Sequence, residues 1–171
     1  DDIKIRISPS IRLMLMVVFL SILITILPIE IYHMDIIFLN SLMEIKFFSI
    51  IFILLCFLFI INGANLIDGF NGLLTINLII INSILLFVNL DQKHYEFSFF
   101  LTAQIIILIS FLLFNFPKAK MFLGDSGSYL FGSLVALNTI VTNNLNSNLS
   151  AFFFCTLLFY IFYEVFFSFF I

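Results

Sequence analysis

An all-α, polytopic membrane helix bundle with about six transmembrane helices is the fold class this chain predicts, on three observations. Of its 171 residues, 63% are hydrophobic and 10% charged, whereas a soluble domain carries about 25% charged residues. The mean hydropathy is +1.26. Apolar runs approaching the roughly 20 residues of a spanning helix alternate with short polar breaks. An aqueous globular domain is excluded. Phe occurs 26 times and Trp never. With Ile and Asn also abundant, this fits an AT-rich coding bias, so single Phe residues carry little chemical information. Cys56 and Cys155 lie in apolar runs, where free Cys packs as a small hydrophobe and a disulfide scaffold is not expected.

The elements follow in order. Asp1 to Ser8 is a charged lead in which Lys4 and Arg6 follow the Asp1-Asp2 pair. Pro9 suits a first helical turn, and Ile11 to Leu27 forms span one, ended by Pro28. Residues 28–44 hold Glu30, His33, Asp35, Asn40 and Glu44 and read as a polar loop with a short interfacial piece. Span two is Phe47 to Ile61. A polar, glycine-rich joint follows, Asn62-Gly-Ala-Asn-Leu-Ile-Asp68-Gly-Phe-Asn71-Gly-Leu73, and span three runs from Leu73 to about Leu90. Asp91 to Glu96 is a hydrophilic turn and Phe97 to Phe114 is span four. A second polar stretch occupies 115–128. Span five, Tyr129 to about Val141, is short unless it borrows from its polar ends. After an Asn-rich turn from Thr142 to Asn148, span six covers Leu149 to Ile171. The chain begins with Asp1 without a signal-peptide pattern and stops inside an apolar run. The expectation is one integral-membrane core over 1–171, truncated at both ends.

Six alternating spans sort the loops onto two sides. Residues 1–8, 62–72 and 115–128 share one side, which carries Lys4, Arg6, Lys118 and Lys120, with Arg12 close by. The other side, with 28–46, 90–96 and 142–148, carries only Lys46 and Lys93. The positive-inside rule makes the first side cytoplasmic. Asp1, Asp2, Asp68 and Asp125 all fall there, each in a motif-like setting, so the chemistry is expected to face the cytoplasm.

Asp68 is the first candidate. A carboxylate at a membrane-helix end is either a solvated turn residue or part of a site. Gly63, Gly69 and Gly72 permit close backbone approach or positive φ, and Asn62, Asn65 and Asn71 add amide groups. If Asn71 or Gly72 opens span three, free N–H groups would face an anion. Gly124-Asp-Ser-Gly-Ser128 repeats the recipe. The same letters surround the nucleophile of trypsin-like proteases, but that role needs a His on the same face. His33 and His94 map to the opposite side, so Ser126 or Ser128 as a cap of span five is the preferred reading. Converging carboxylates without Cys or His suit a hard cation such as Mg²⁺. Lys118, Lys120, Lys4 and Arg6 could meet phosphate oxygens or serve only as topology determinants. Glu164, inside span six, reads equally as an interfacial or an interior residue.

Three stretches together resemble the polyprenyl-phosphate N-acetylhexosamine-1-phosphate transferases. Asn62-x-x-Asn65-x-x-Asp68-Gly-x-Asn71-Gly-Leu73 is similar to their central motif, Met121-Phe-Leu-Gly-Asp125-Ser-Gly-Ser128 to their second, and Asp1-Asp2 to their aspartate pair. The surface-polysaccharide branch of glycosyltransferase family 4 is the nearer likeness, rather than the peptidoglycan-specific enzyme. The resemblance implies transfer of a sugar-1-phosphate from a UDP-N-acetylhexosamine to a polyprenyl (undecaprenyl) phosphate, with release of UMP. It implies Asp125 as the Mg²⁺ ligand (Mn²⁺ as a substitute) and Asp1 as a base toward the lipid phosphate, with Asp2 beside it. It further implies Asp68 at the pyrophosphate and metal end. Asn71, Asn115 and Phe122 would line the uridine pocket, Phe122 by stacking, Asn65 would support the loop or the nucleotide, and Gly69 would be a further substrate-binding position. The setting implied is the plasma (inner) membrane, multi-pass, with the site facing the cytoplasm. A homodimer is also implied, and no nucleic-acid partner is expected.

Two features depart from the family pattern. Many members have Asp where Asn71 stands, and the chain ends before the family's His-rich cytoplasmic loop. A base is also less needed than usual, because a phosphate monoester has a second pKa of about 6. Two competing readings follow: a transporter subunit, since intramembrane acids often mark ion paths, or an inactive remnant of such a transferase.

Overall fold

The computed structural model describes residues 8–27, 29–31, 34 and 36–168. The expectations for Asp1, Asp2, Lys4, Arg6, Pro28, His33, Asp35 and residues 169–171 lie outside the described residues. Among those described are eight α-helices and no strand. They are α1 (Pro9–Ile26), α2 (Ile37–Met43), α3 (Lys46–Ile67), α4 (Leu73–Asp91), α5 (Tyr95–Asn115), α6 (Gly124–Leu145), α7 (Ala151–Leu157) and α8 (Phe159–Ser168). The all-helical membrane bundle expected from composition is borne out.

Local chemistry sets several helix ends. Ser8 Oγ accepts the Ile11 N–H at 3.4 Å, capping α1, and Pro9 occupies its first turn. The expected interfacial piece in residues 28–44 is α2. Gly72 precedes α4 with φ 73°, a left-handed conformation that a side chain would strain. Glu96 and Asp125 place negative charge in the first turns of α5 and α6, complementing the helix dipoles.

The bundle is built around α3, which packs along α6 and carries α1 and α8 against it, while α4 pairs with α5 and also packs on α6. Small residues allow these contacts, as expected where lipid removes the hydrophobic drive between helices. A Cβ on Gly132 would lie 3.0 Å from Ile61 Cα and 3.1 Å from Ala64 Cβ. The core is otherwise aliphatic, with Ile53, Leu78, Leu85, Leu101, Leu108 and Val135 fully buried. Threaded through it is a chain of carboxamides. Asn138 Nδ2 donates to Asn82 Oδ1 and Gln104 Oε1, both at 2.9 Å, tying α6 to α4 and α5. Nearer the far end, Asn89 Nδ2 donates to Thr142 Oγ1 at 2.9 Å.

The structure moves three expected boundaries. Span two continues through Asn62–Asn65 to Ile67, so half of the polar joint is helical. Asn62 Nδ2 bonds back to Leu58 O at 2.7 Å, and Gly63 is pressed against Ile161 and Val165 of α8. Tertiary packing here overrides the poor helix propensity of Asn and Gly. Span five does borrow from its polar ends, starting at Gly124 and reaching Leu145. Span six is broken: α7 and α8 bend by 60° about Leu158. Among the described residues, α3, α4 and α5 are long and apolar enough to cross a membrane, and α7 with α8 makes a fourth if counted as one span. Helix α1 adds a shorter apolar helix, Ser10–Ile26 among the described residues, and α6 has the length but buries Ser128, Asn138, Thr142 and Asn143 in the bundle.

Candidate active site

The expected sorting of loops holds. At one end, the turn after α3 meets the loop before α6 and the start of α1. At the other end, His94 Nε2 lies 3.2 Å from Leu145 O, and Asn144 Nδ2 donates to Glu30 O at 2.6 Å.

Asp68 ends α3 and is buried, at 7% exposure. Its partner is the start of α6. Leu123 N–H donates to Oδ1 at 3.3 Å and Gly124 N–H to Oδ2 at 2.7 Å. A carboxylate on the first free amides of a helix satisfies orphan donors and complements the helix dipole. This bond set replaces the expected cap by Ser126 or Ser128. No side chain of residue 123 caps α6, and Ser128 Oγ instead donates back to Gly124 O at 2.8 Å, inside the helix.

Asn65 stands one turn before Asp68 and points the same way. Its Nδ2 donates to Asp125 Oδ1 at 3.0 Å and to Ser128 Oγ at 2.9 Å. The other carboxylate oxygen, Asp125 Oδ2, is held by the guanidinium of Arg12 on α1. This is the one ion pair among the described residues, and Asp125 remains half open to solvent.

A second wall comes from Asn115, buried at the end of α5. Its Oδ1 accepts from Gly72 N–H at 2.8 Å and from Thr75 Oγ1 at 3.2 Å, while its Nδ2 donates to Met121 O at 2.7 Å. These three bonds commit the amide to scaffold, and the Gly72 N–H expected to face an anion faces this amide. Asn71 Nδ2 donates to Pro117 O at 3.3 Å. Phe122 is exposed, as are Lys118 and Lys120 on the same loop. Gly69 is exposed too, and a Cβ there would meet only Leu66 O, at 4.0 Å, so the backbone is open to approach.

Of the expected site residues, Asn65, Asp68 and Asp125 are thus brought into one bonded cluster, with Gly69, Asn71, Asn115 and Phe122 around it. Asp1 and Asp2 lie outside the described residues. Glu164 is half-buried on α8. Arg12 was counted in the sequence only as a charge near the membrane. Its place in the first turn after Ser8-Pro9, close behind the Asp1-Asp2 pair, was the available signal.

No three His, Cys, Asp or Glu residues converge as a closed metal cage among the described residues. What the cluster does offer is a half-exposed carboxylate flanked by carboxamide and hydroxyl groups. That donor set fits Mg²⁺, which usually takes one or two carboxylates and completes its shell with water and substrate phosphates.

A family model described as Glycosyl transferase family 4 matches residues 1–143. The chain belongs to that family. Its members transfer a phospho-sugar to a polyprenyl phosphate in the membrane. Relatives named phospho-N-acetylmuramoyl-pentapeptide-transferase include one from Leuconostoc mesenteroides, 40% identical over 80 residues, which is 47% of this chain and 25% of the relative. Another, from Clostridium perfringens, is 32% identical over 104 residues, 61% of this chain and 33% of the relative. A third, from Listeria innocua, is 33% identical over 106 residues, 62% and 33%. The matched stretch thus spans a quarter to a third of these relatives. They carry the peptidoglycan-type name, whereas the motifs suggested the surface-polysaccharide branch. No solved structure matches the chain.

Proposed function

We propose that the protein transfers N-acetylhexosamine-1-phosphate from a UDP-sugar to a polyprenyl phosphate at the cytoplasmic membrane face. An oxygen of the lipid phosphate attacks the β-phosphorus of the UDP-sugar, the bond to the bridging oxygen breaks, and UMP leaves. The observation that carries this reading is the Asn65–Asp125 bond beside the Asp68 clasp on α6, in a chain of this family.

Phosphoryl transfer asks mainly for positioning and neutralisation of charge. Asp68 sets the position of the Gly124-Asp125 turn. Asn65 orients the Asp125 carboxylate. Asp125 would hold Mg²⁺, with Mn²⁺ as a substitute; when bound, the ion would neutralise the pyrophosphate and stabilise the leaving phosphate. Phe122 offers an exposed ring for stacking on uracil, and Asn71 an amide in the same loop pair. Asn115 supports this pocket from beneath, because its own bonds hold Gly72 and Met121 together. Asp1 and Asp2 would steer the lipid phosphate, with Asp1 as its base. An Asp1→Asn variant that kept the acidic limb of the pH profile at a lower rate would reduce that role to steering.

Among the described residues, the buried polar side chains of the bundle interior are carboxamides and hydroxyls, several bonded to one another, rather than a file of carboxylates, which supports catalysis over ion transport. The deciding experiment uses the intact protein in detergent with undecaprenyl phosphate and Mg²⁺. UDP-GlcNAc, UDP-GalNAc and UDP-N-acetylmuramoyl-pentapeptide are supplied in turn, the last because of the relatives' name. UMP release with one of them is expected and identifies the branch. No UMP with any of the three would defeat the proposal.

A further inference from the structure

We propose that the cavity at the end of the bundle opposite the candidate active site holds the headgroup of a phospholipid that carries a primary amine. Glu30 and Glu44 would take its ammonium group and Lys46 its phosphate.

The cavity measures about 650 Å³ and lies where the end of α1 meets α2 and the start of α3. Ile24, Ile31 and Ile50 give it apolar walls, and its charged lining is Glu30, Glu44 and Lys46. Two bonds fix the backbone around it. Asn144 Nδ2, at the end of α6, donates to Glu30 O at 2.6 Å, and Asn40 Oδ1 accepts the Met34 N–H at 2.9 Å.

The three charged side chains are exposed and do not pair with one another, because the one ion pair among the described residues joins Arg12 to Asp125. Local chemistry does not account for Lys46. It opens α3, where the helix dipole disfavours a cation. It also stands on the side of the bundle that the positive-inside rule keeps poor in basic residues. A charge that breaks local rules without a partner in the fold is expected at a binding site.

Charge then selects the ligand. Two carboxylates against one ammonium leave the lining net negative, so a purely anionic headgroup is disfavoured and a cationic group is required. Lys46 asks in addition for an anion. An aminoalkyl phosphate carries both. Its primary ammonium has N–H donors for both carboxylates, whereas a trimethylated ammonium has none.

The setting makes this ligand a lipid. Ile37 and Phe38 on α2 and Phe47 at the start of α3 are exposed beside the cavity, an apolar rim suited to the interfacial layer of a bilayer. The chains of a lipid seated there would run along exposed apolar residues of α1 such as Ile22 and Ile26. Bound in this way, the headgroup would tie together the far ends of α1, α2 and α3 and stabilise the bundle.

The test takes the intact protein in detergent as wild type, E30Q/E44Q, K46Q and K46R. Phosphatidylethanolamine, phosphatidylcholine and phosphatidylglycerol with identical acyl chains are titrated separately. Bound lipid is read by native mass spectrometry, and unfolding is followed by heating. The wild type should hold phosphatidylethanolamine about fivefold more tightly than phosphatidylcholine, whose methyl groups forfeit both exposed carboxylate contacts. It should also unfold at a higher temperature with phosphatidylethanolamine. E30Q/E44Q should hold the two lipids alike and lose that rise, while keeping the wild-type unfolding temperature in phosphatidylcholine. K46Q should weaken both lipids, since both carry the phosphate, with recovery in K46R. Equal retention of the two lipids by the wild type overturns the inference, as does a preference that survives in E30Q/E44Q or affinities unmoved in K46Q. Phosphatidylglycerol as the tightest ligand would make the site a simple basic contact and overturn it. Glycerophosphoethanolamine that competes as strongly as the lipid would make the ligand a solute, against the proposal. An E30Q/E44Q variant that unfolds early in every lipid and retains none would make the two acids structural, and would also overturn it.

Discussion

Removing Asp68 should loosen the start of α6 before it touches any chemistry. The carboxylate is 7% exposed and accepts two backbone N–H bonds, from Leu123 at 3.3 Å and Gly124 at 2.7 Å. The shorter bond is a full charge-assisted contact and the longer one is marginal. Loss of a helix cap costs about 0.5–2 kcal/mol, and loss of charge at a helix N-terminus about 0.3–1 kcal/mol. Asp68→Ala should therefore cost about 1–3 kcal/mol. Asp68→Asn keeps one acceptor oxygen but turns an NH₂ toward the second amide, and should cost about 1–2 kcal/mol. The assay is thermal unfolding of the intact protein in detergent, paired with hydrogen exchange at Leu123 and Gly124. Both variants should unfold earlier, the alanine more so, with exchange at those two amides accelerated. Substrate affinity should fall with them, because Asp125 rides on the same turn. Unchanged unfolding and exchange, together with abolished Mn²⁺ binding, would refute the clasp and make Asp68 a direct metal ligand.

Three further substitutions probe the scaffold. Gly63→Ala places a Cβ 2.4 Å from Ile161 O, and such overpacking should cost about 1–3 kcal/mol by unfolding in mixed micelles; wild-type stability would mean that α8 does not press on α3 there. Asn115→Ala strands the buried Gly72 N–H, at about 1–3 kcal/mol, and releases the Met121 carbonyl, which is part-exposed and can turn to water. It should lower both the unfolding temperature and UDP affinity, whereas loss of UDP affinity at full stability would make Asn115 a direct ligand. Asn138→Leu removes bonds to Asn82 and Gln104. At about 0.6 kcal/mol per interhelical bond the expected loss is modest, with UMP release retained; abolished turnover in a stable variant would tie this interior network to function.

The membrane bundle, the order of its spans and the sharing of one face by the Asp68 and Asp125 motifs were legible from the sequence. The reason is that the bilayer taxes each polar group where it stands, so polar breaks mark span ends without knowledge of any partner. Local chemistry also foretold a short interfacial piece among residues 28–44, which the fold makes a helix, and a polar extension of span five. Other features were set by partners far along the chain. Asn62 to Asn65 looks like a loop until α8 packs on Gly63, nearly a hundred residues later in the order of the chain. The break at Leu158 leaves no Pro or Gly as a signal. Asp68 showed a need for compensation but not its source, because the compensating amides belong to the backbone of residues 123 and 124, which have no distinguishing side chains for the purpose. Arg12 stands in the sequence as a basic residue close behind the Asp1-Asp2 pair, but its partner is set by an ion pair across 113 positions. Hydropathy is a sum over neighbours in sequence, while a site is made by neighbours in space.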